Sequence, residues 1–362
     1  MQLERPRIRE LGLSIGHYPT GRYNAITDVP GVKVGHATII SGEGKLVPGK
    51  GPVRTGVTTV WPHSDDLFHH RVAAGGFVLN GAGEVTGLLQ VEEWGAIETP
   101  ILLTNTQSVG QVHDAALDYL LECYPDAGVH SDPIIPVVAE CDDSHLNDIQ
   151  GRHVTRKYVR QALAEAASGP VAEGAIGAGT GMIAFDFKAG IGTASRKLPT
   201  ELGGYTLGVL VLANFGQRRC LLVGGHRIGD CIQDLMPDPH PDGSIVAIIA
   251  TDAPLFSLQL KRLAKRAALG IGRVGSFASH VSGEFCLAFS NRLLIPRHGL
   301  GLTYQLELLR DEHLDPLFEA TIEATEEAIL NSLTKATDMR GRDGHMVFAL
   351  PIERLRELVC EH

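Results

Sequence analysis

Two kinds of apolar pattern alternate along this 362-residue chain. Short apolar runs bounded by Gly, Pro, Asn and Asp predict strands over 32–40, 57–61, 76–79, 100–104, 134–140, 206–213, 244–250 and 281–290. Apolar positions at helical spacing predict helices over 111–123, 154–167, 254–269, 314–334 and 352–360. In the third of these, Phe256, Leu260, Leu263 and Ala267 share one face, opposite Lys261, Arg262 and Lys265. Asp252 is placed to cap that helix, with Pro254 in its first turn. Strands and helices mix without strict alternation, which predicts an α/β chain of sheets covered by helices rather than one doubly wound sheet.

The sharpest boundary in the pattern is Ser244. The buried-strand run Ile245-Val-Ala-Ile-Ile-Ala250 starts abruptly behind the loop-like Pro239-His-Pro-Asp-Gly-Ser244. Residues 236–243, with three prolines, read as an exposed connection that can be cut. A serine at the junction of a loop and a rigid strand can attack the peptide bond before it. Cleavage between Gly243 and Ser244 would leave a large piece, 1–243, and a small one, 244–362, with Ser244 as a new N-terminus and nucleophile. Gly-Ser taken alone is an ordinary turn entering a strand, so the case rests on other residues.

Composition narrows the classes. Hydrophobic residues make up 44% and charged residues 20%, the balance of a soluble globular protein. The length suits one large domain or two ordinary ones. A net charge of −10 argues against a nucleic-acid partner, whose phosphates need clustered Lys and Arg. No apolar run approaches the ~20 residues of a membrane span, and the charged N-terminus lacks an apolar signal core. The expected location is the cytoplasm, away from membranes. The six cysteines show no C-x-x-C spacing, so neither a disulfide framework nor a zinc site is expected; most should be small buried apolar residues. His63, Asp65, Asp66, His69 and His70 crowd one polar loop without a recognisable catalytic metal spacing. Gly270-Ile-Gly-Arg-Val-Gly275 matches a dinucleotide fingerprint but follows a predicted helix instead of a strand, and so reads as a helix end and turn. Gly177 to Gly181 and Gly190 to Gly192 read as glycine turns packed beside a site.

Three further positions carry candidate chemistry. Ser282 and Glu284 are two apart at a strand start, so their side chains project together. A hydroxyl linked to a carboxylate can orient and help deprotonate a second hydroxyl. Asn214 ends the apolar run Val209–Ala213, and its amide is a suitable oxyanion donor if it faces Ser244.

Together these residues resemble those of the L-aminopeptidase/D-esterase and β-aminopeptidase family of self-processing N-terminal serine hydrolases. The resemblance runs from about Gly12 to Pro351. It is carried by Ile26-Thr-Asp-Val-Pro-Gly-Val-Lys-Val-Gly-His36, Gly56-Val-Thr-Thr-Val60, Asn80-Gly-Ala-Gly-Glu-Val-Thr-Gly87 and Pro100-Ile-Leu-Leu-Thr-Asn-Thr-Gln107. Gly177 to Met182, Asn214-Phe-Gly216, Asp242 to Pro254 and Ser282-Gly-Glu284 complete it. The resemblance implies a four-layer α-β-β-α sandwich, also seen in ornithine acetyltransferases, and one catalytic domain over 1–362. It implies Ser244 as nucleophile, Ser282 and Glu284 as its assistants, Asn214 as oxyanion donor and Glu140 as the partner of a substrate's free amine. His145 stands where family members often carry Tyr, which removes a phenol hydroxyl and alters the substrate pocket. The implied activity is release of N-terminal residues from short peptides, amides or esters, without metal or other cofactor, by a homotetramer of processed protomers. Two alternatives stand beside it. An acyl-enzyme of the ornithine acetyltransferase type would pass its acyl group to an amine, but those enzymes usually carry Thr at the cut. A non-catalytic binding protein would have no use for all four of Ser244, Ser282, Glu284 and Asn214.

Overall fold

The computed structural model describes residues 5–237, 243–299 and 301–360. The five residues before Gly243, and with them most of the expected cleavable loop, lie outside the described residues. The helices are α1 (Leu88–Trp94), α2 (Val109–Cys123), α3 (Arg156–Ala164), α4 (Ile228–Cys231), α5 (Ser257–Arg273), α6 (Asp315–Lys335) and α7 (Ile352–Cys360).

Two sheets face each other. The first contains β1 (Lys33–Ser41), β2 (Val53–Trp61), β4 (Val85–Thr86), β6 (Ile101–Asn105) and β7 (Val137–Cys141), in the order β1-β2-β6-β7-β4. The second contains β3 (His70–Gly81), β5 (Ala96–Ile97), β10 (Ile191–Lys197), β11 (Thr206–Asn214), β12 (Ser244–Thr251) and β13 (Gly283–Pro296), in the order β10-β11-β12-β13-β3-β5. Most neighbours are antiparallel; β6 with β7 and β12 with β13 are parallel. Two small hairpins, β8 (Ile183–Ala184) with β9 (Phe187–Lys188) and β14 (Met339–Arg340) with β15 (Met346–Val347), lie outside the sheets.

The strands bury both faces, which explains their continuous apolar runs. In β12, Val246, Ile248 and Ala250 point into the core between the sheets, beside Leu103, Ala139 and Leu287. Ile245, Ala247 and Ile249 point the other way, onto Leu260 and Leu263 of α5 and Ala324 and Ala328 of α6. On the far side of the first sheet, Val112 and Ala116 of α2 and Val159 and Leu163 of α3 cover Val57 and Val138. The result is the α-β-β-α sandwich that the resemblance implied.

Every predicted strand and helix is present, with shifted ends. The α5 helix begins at Ser257, beyond Pro254, and Asp252 does not cap it. The Asp252 carboxylate instead accepts the Thr206 N–H at 2.7 Å and ties β12 to β11. Gly270 and Gly272 lie inside α5; a Cβ on Gly270 would come within 2.7 Å of the Ile322 carbonyl on α6, so the glycine permits close helix packing. The glycine turn expected at Gly190–Gly192 leads straight into strand β10, where Gly192 passes under α6 with no room for a side chain. Cys141 and Cys286 are buried as expected, whereas Cys123 and Cys231 are exposed. Among the described residues, no cluster of metal-competent side chains forms, and no helix is long and apolar enough to cross a membrane.

Candidate active site

Three strand ends meet at Ser244. It is the first residue of β12, and the antiparallel register places it opposite Asn214, the last residue of β11. On its other side β13 runs parallel, with Glu284 opposite Ile245. The turn before β13 brings in Ser282, and the N–H of Gly283, the first residue of β13, donates to Ser244 Oγ at 3.0 Å. All four predicted catalytic side chains are buried here.

The Ser282 hydroxyl donates to Glu284 Oε1. Among the described residues, Oε2 of Glu284 is buried without a hydrogen-bond partner. Burial raises the Glu284 carboxyl above its ordinary value, and the bond from Ser282 opposes that rise. This is a carboxylate poised to take up a proton.

Asn214 is oriented from both ends of its amide. Oδ1 accepts the Ile183 N–H at 2.8 Å, and Nδ2 donates to the Asp142 carbonyl at 2.8 Å. An amide nitrogen has two hydrogens, so among the described residues the second is available for another acceptor beside Ser244. Gly243 is pressed against this residue. A Cβ there would lie 1.8 Å from the Asn214 carbonyl oxygen and 2.5 Å from Nδ2.

The first sheet adds a second wall. Cys141, at the end of β7, directs Sγ to the Ser244 carbonyl oxygen at 3.3 Å. Its neighbour Glu140 accepts the Glu84 N–H at 3.0 Å through Oε1 and the Thr106 hydroxyl through Oε2. Burial raises the Glu140 carboxyl, against the pull of these bonds. A Cβ on Gly83 would lie 2.5 Å from Glu140 Oε1 and 3.0 Å from the Phe285 ring, so the 81–84 loop passes with no room for a side chain beside both sheets. His145 is buried and stacks on His345 at 4.6 Å between ring centres, while its carbonyl holds His345 Nδ1 at 2.8 Å.

The arrangement offers a hydroxyl at a rigid strand start, a carboxylate-linked hydroxyl beside it and fixed N–H groups around it, which suits acyl transfer. The model of Peptidase family S58 matches residues 24–347. This chain belongs to peptidase family S58.

Its relatives agree. The β-peptidyl aminopeptidase BapA of Sphingosinicella xenopeptidilytica is 44% identical over 371 residues, covering 99% of this S58 chain and 92% of its own. The PH0078 protein of Pyrococcus horikoshii superposes with a TM-score of 0.94 at 49% identity, over 98% of this chain and 99% of that one. The L-aminopeptidase D-Ala-esterase/amidase of Ochrobactrum anthropi, described as a variant of the Ntn hydrolase fold, superposes with a TM-score of 0.92 at 42% identity, over 99% of both chains. The S58 chain is thus a hydrolase of the serine aminopeptidase class, as the resemblance implied.

Several contacts of the S58 site escaped the sequence reading. Gly283 contributes a backbone N–H that its place between Ser282 and Glu284 could have suggested. Thr106 and Cys141 lie within or beside recognised motifs, but nothing in the pattern marks their side chains as neighbours of Glu140 and Ser244. Ile183 acts through its backbone and leaves no sequence signal at all.

Proposed function

We propose that this aminopeptidase matures by cutting itself between Gly243 and Ser244, and that Ser244 then serves as its nucleophile. The observation that carries this reading is the setting of Ser244: first residue of a buried strand, opposite Asn214, with its Oγ held by the Gly283 N–H.

In the precursor, Ser244 Oγ attacks the Gly243 carbonyl carbon, and its proton passes to the Ser282–Glu284 pair. The C–N bond breaks as the Ser244 nitrogen takes a proton back, leaving an ester. Water hydrolyses the ester, so residues 1–243 end in a carboxylate and Ser244 carries a free amine. An α-amino group has a reference pKa of about 7.7–8.0, so a useful fraction is neutral near pH 7 and can act as base. In turnover that amine takes the Oγ proton, Oγ attacks the first carbonyl of the substrate, and the leaving amine departs with that proton; water then hydrolyses the acyl-enzyme ester, releasing the acyl group as a carboxylate and restoring the Ser244 hydroxyl. The spare Nδ2 hydrogen of Asn214 stabilises the oxyanion. Glu140 holds the substrate's free ammonium by a charge-assisted bond. The resemblance further supports a homotetramer of processed protomers.

Denaturing mass analysis of freshly purified protein, beside Ser244→Ala, tests the reading. Two pieces meeting at Gly243/Ser244 in the wild type and one intact chain in the variant are expected. A panel of α- and β-aminoacyl amides then defines specificity, because the relatives are named for both L- and β-aminopeptidase action. A cut Ser244→Ala chain would overturn the proposal, and acyl transfer to an added amine in preference to water would move the enzyme to the acetyltransferase reading.

A further inference from the structure

Lys188 is among the largest fully buried side chains of the protein. Its Nζ donates to three backbone carbonyls: Met182 at 2.6 Å, Ala189 at 2.7 Å and Gly179 at 3.2 Å. Three acceptors match the three hydrogens of an ammonium. Burial pulls its pKa down to about 7, and the carboxylate of Asp143 is the charge that opposes this. A buried lysine in such a position is costly unless fully hydrogen-bonded, and its location in the fold suggests what it is for.

Lys188 closes the β8–β9 hairpin, where it stands opposite Ile183. Ile183 is the residue whose N–H fixes Asn214 Oδ1. The hairpin's turn is in an unusual conformation: Phe185 and Asp186 both have positive φ, at 50° and 61°. A bulky residue such as Phe rarely adopts this without support from its surroundings. Arg218 supplies some, donating to the Phe185 and Asp186 carbonyls at 2.9 and 2.8 Å. The Phe215 carbonyl supplies more, accepting the Phe185 N–H at 2.8 Å, and Gly216 leaves room for the Phe185 ring, where a Cβ would lie 2.5 Å from it. Lys188 holds the other end, pinning the chain before Ile183 and after Lys188 to one point.

We infer that Lys188 is a positioning residue for the oxyanion donor: it locks the segment 179–189 so that the Ile183 N–H holds the Asn214 amide with Nδ2 toward Ser244. The inference rests on the reading of Asn214 as that donor. Without the Ile183 N–H, only the bond from Nδ2 to the Asp142 carbonyl would orient the amide, and a displaced Asn214 would no longer aim its second Nδ2 hydrogen at the oxyanion. Lys188 touches neither substrate nor Ser244 in this scheme; its effect passes entirely through Asn214.

The test is a double-mutant cycle. Lys188→Met, measured per processed chain, should lower kcat by roughly 10- to 100-fold, within the ~10²–10³ attached to losing an oxyanion donor, and leave KM within about twofold. In an Asn214→Ala background Lys188→Met should have almost no further effect, because the group it positions is gone. The cycle is read on whichever step, peptide turnover or self-cleavage, Asn214→Ala leaves measurable. Should Lys188→Met fail to fold, Lys188→Gln, which keeps donor hydrogens on a shorter arm, takes its place. Equal losses in both backgrounds, or a rise in KM at unchanged kcat, would overturn the inference. If Asn214→Ala itself costs nothing, it is the oxyanion reading that fails; if Asn214→Ala is impaired while Lys188→Met is not, Lys188 alone is misassigned.

Discussion

Asn214 and Ser244 stand opposite each other as a cross-strand pair at the ends of β11 and β12. Strand pairing, rather than a flexible loop, therefore sets the distance between the proposed nucleophile and the amide that faces it. Asn214→Ala is expected to lower kcat by about 10²–10³ with little change in KM. Asn214→Asp is expected to be at least as poor, because an ionised carboxylate only accepts hydrogen bonds and would repel the oxyanion. Steady-state kinetics on one aminoacyl amide read both variants. A KM effect alone would mean that Asn214 binds substrate in its ground state.

Gly243 has no space for a side chain where it lies against Asn214. Gly243→Ala must displace either the scissile peptide or the Asn214 carbonyl, and each moves the bond that Ser244 would attack. Processing should slow by more than about tenfold, since misplacement by around 1 Å can cost ~10²-fold. A time course of chain cleavage on denaturing gels measures it. Unchanged cutting would place the attacked carbonyl elsewhere.

The sandwich was legible in the sequence because its central strands are buried on both faces and so read as unbroken apolar runs, with β12 the plainest case. Strand β10 was not legible. Its residues Thr193, Ser195 and Arg196 are polar yet buried, the last through ion pairs to Glu323 and Glu327 of α6 at 2.8 Å. Partners more than 100 residues away decide that burial, and local hydropathy carries no trace of them. The same division holds at the site. That Ser244, Ser282, Glu284 and Asn214 come together could be anticipated because each has a side chain with chemistry and sits at an element's end. The supports of Asn214 could not be, because Ile183 acts through its backbone and Lys188 through carbonyls of its own hairpin segment.

Glu140 has both carboxylate oxygens engaged, by Glu84 and Thr106, yet each oxygen offers a second lone pair. A substrate ammonium can therefore join without displacing either partner, and its charge would pull the raised Glu140 carboxyl back to the ionised form. Glu140→Gln keeps the shape and removes the charge. Hydrogen bonds to charged groups contribute about 1.5–3 kcal/mol, so kcat/KM for free-amine substrates should fall roughly 10- to 100-fold, mainly through KM. Binding of a free-amine substrate analogue by calorimetry should weaken in step. Self-cleavage, which involves no substrate amine, should proceed. A variant equally poor at both reactions would make Glu140 a structural support.

The proposed self-cleavage and turnover should differ in their pH dependence, because on that scheme the α-amine of Ser244 exists only after the cut. Before it, the Ser282–Glu284 pair is the proton acceptor at hand, and Glu284 must be ionised to serve. Its carboxyl is raised by burial above the ordinary carboxylate value, near 4.3 for an unperturbed Glu. As pH falls through that raised value, Glu284 protonates and processing should slow. Turnover needs the neutral amine as well, with a reference pKa of about 7.7–8.0, so its rate should begin to fall at a higher pH. Precursor refolded from urea at set pH values gives the first profile, and mature enzyme on a neutral-leaving-group amide gives the second. Glu284→Gln should slow processing by about 10²–10⁴, the range of general acid–base catalysis, and remove its acid limb. Coincident limbs for the two reactions would mean that one group serves as base in both, and the amine would lose its place in the mechanism.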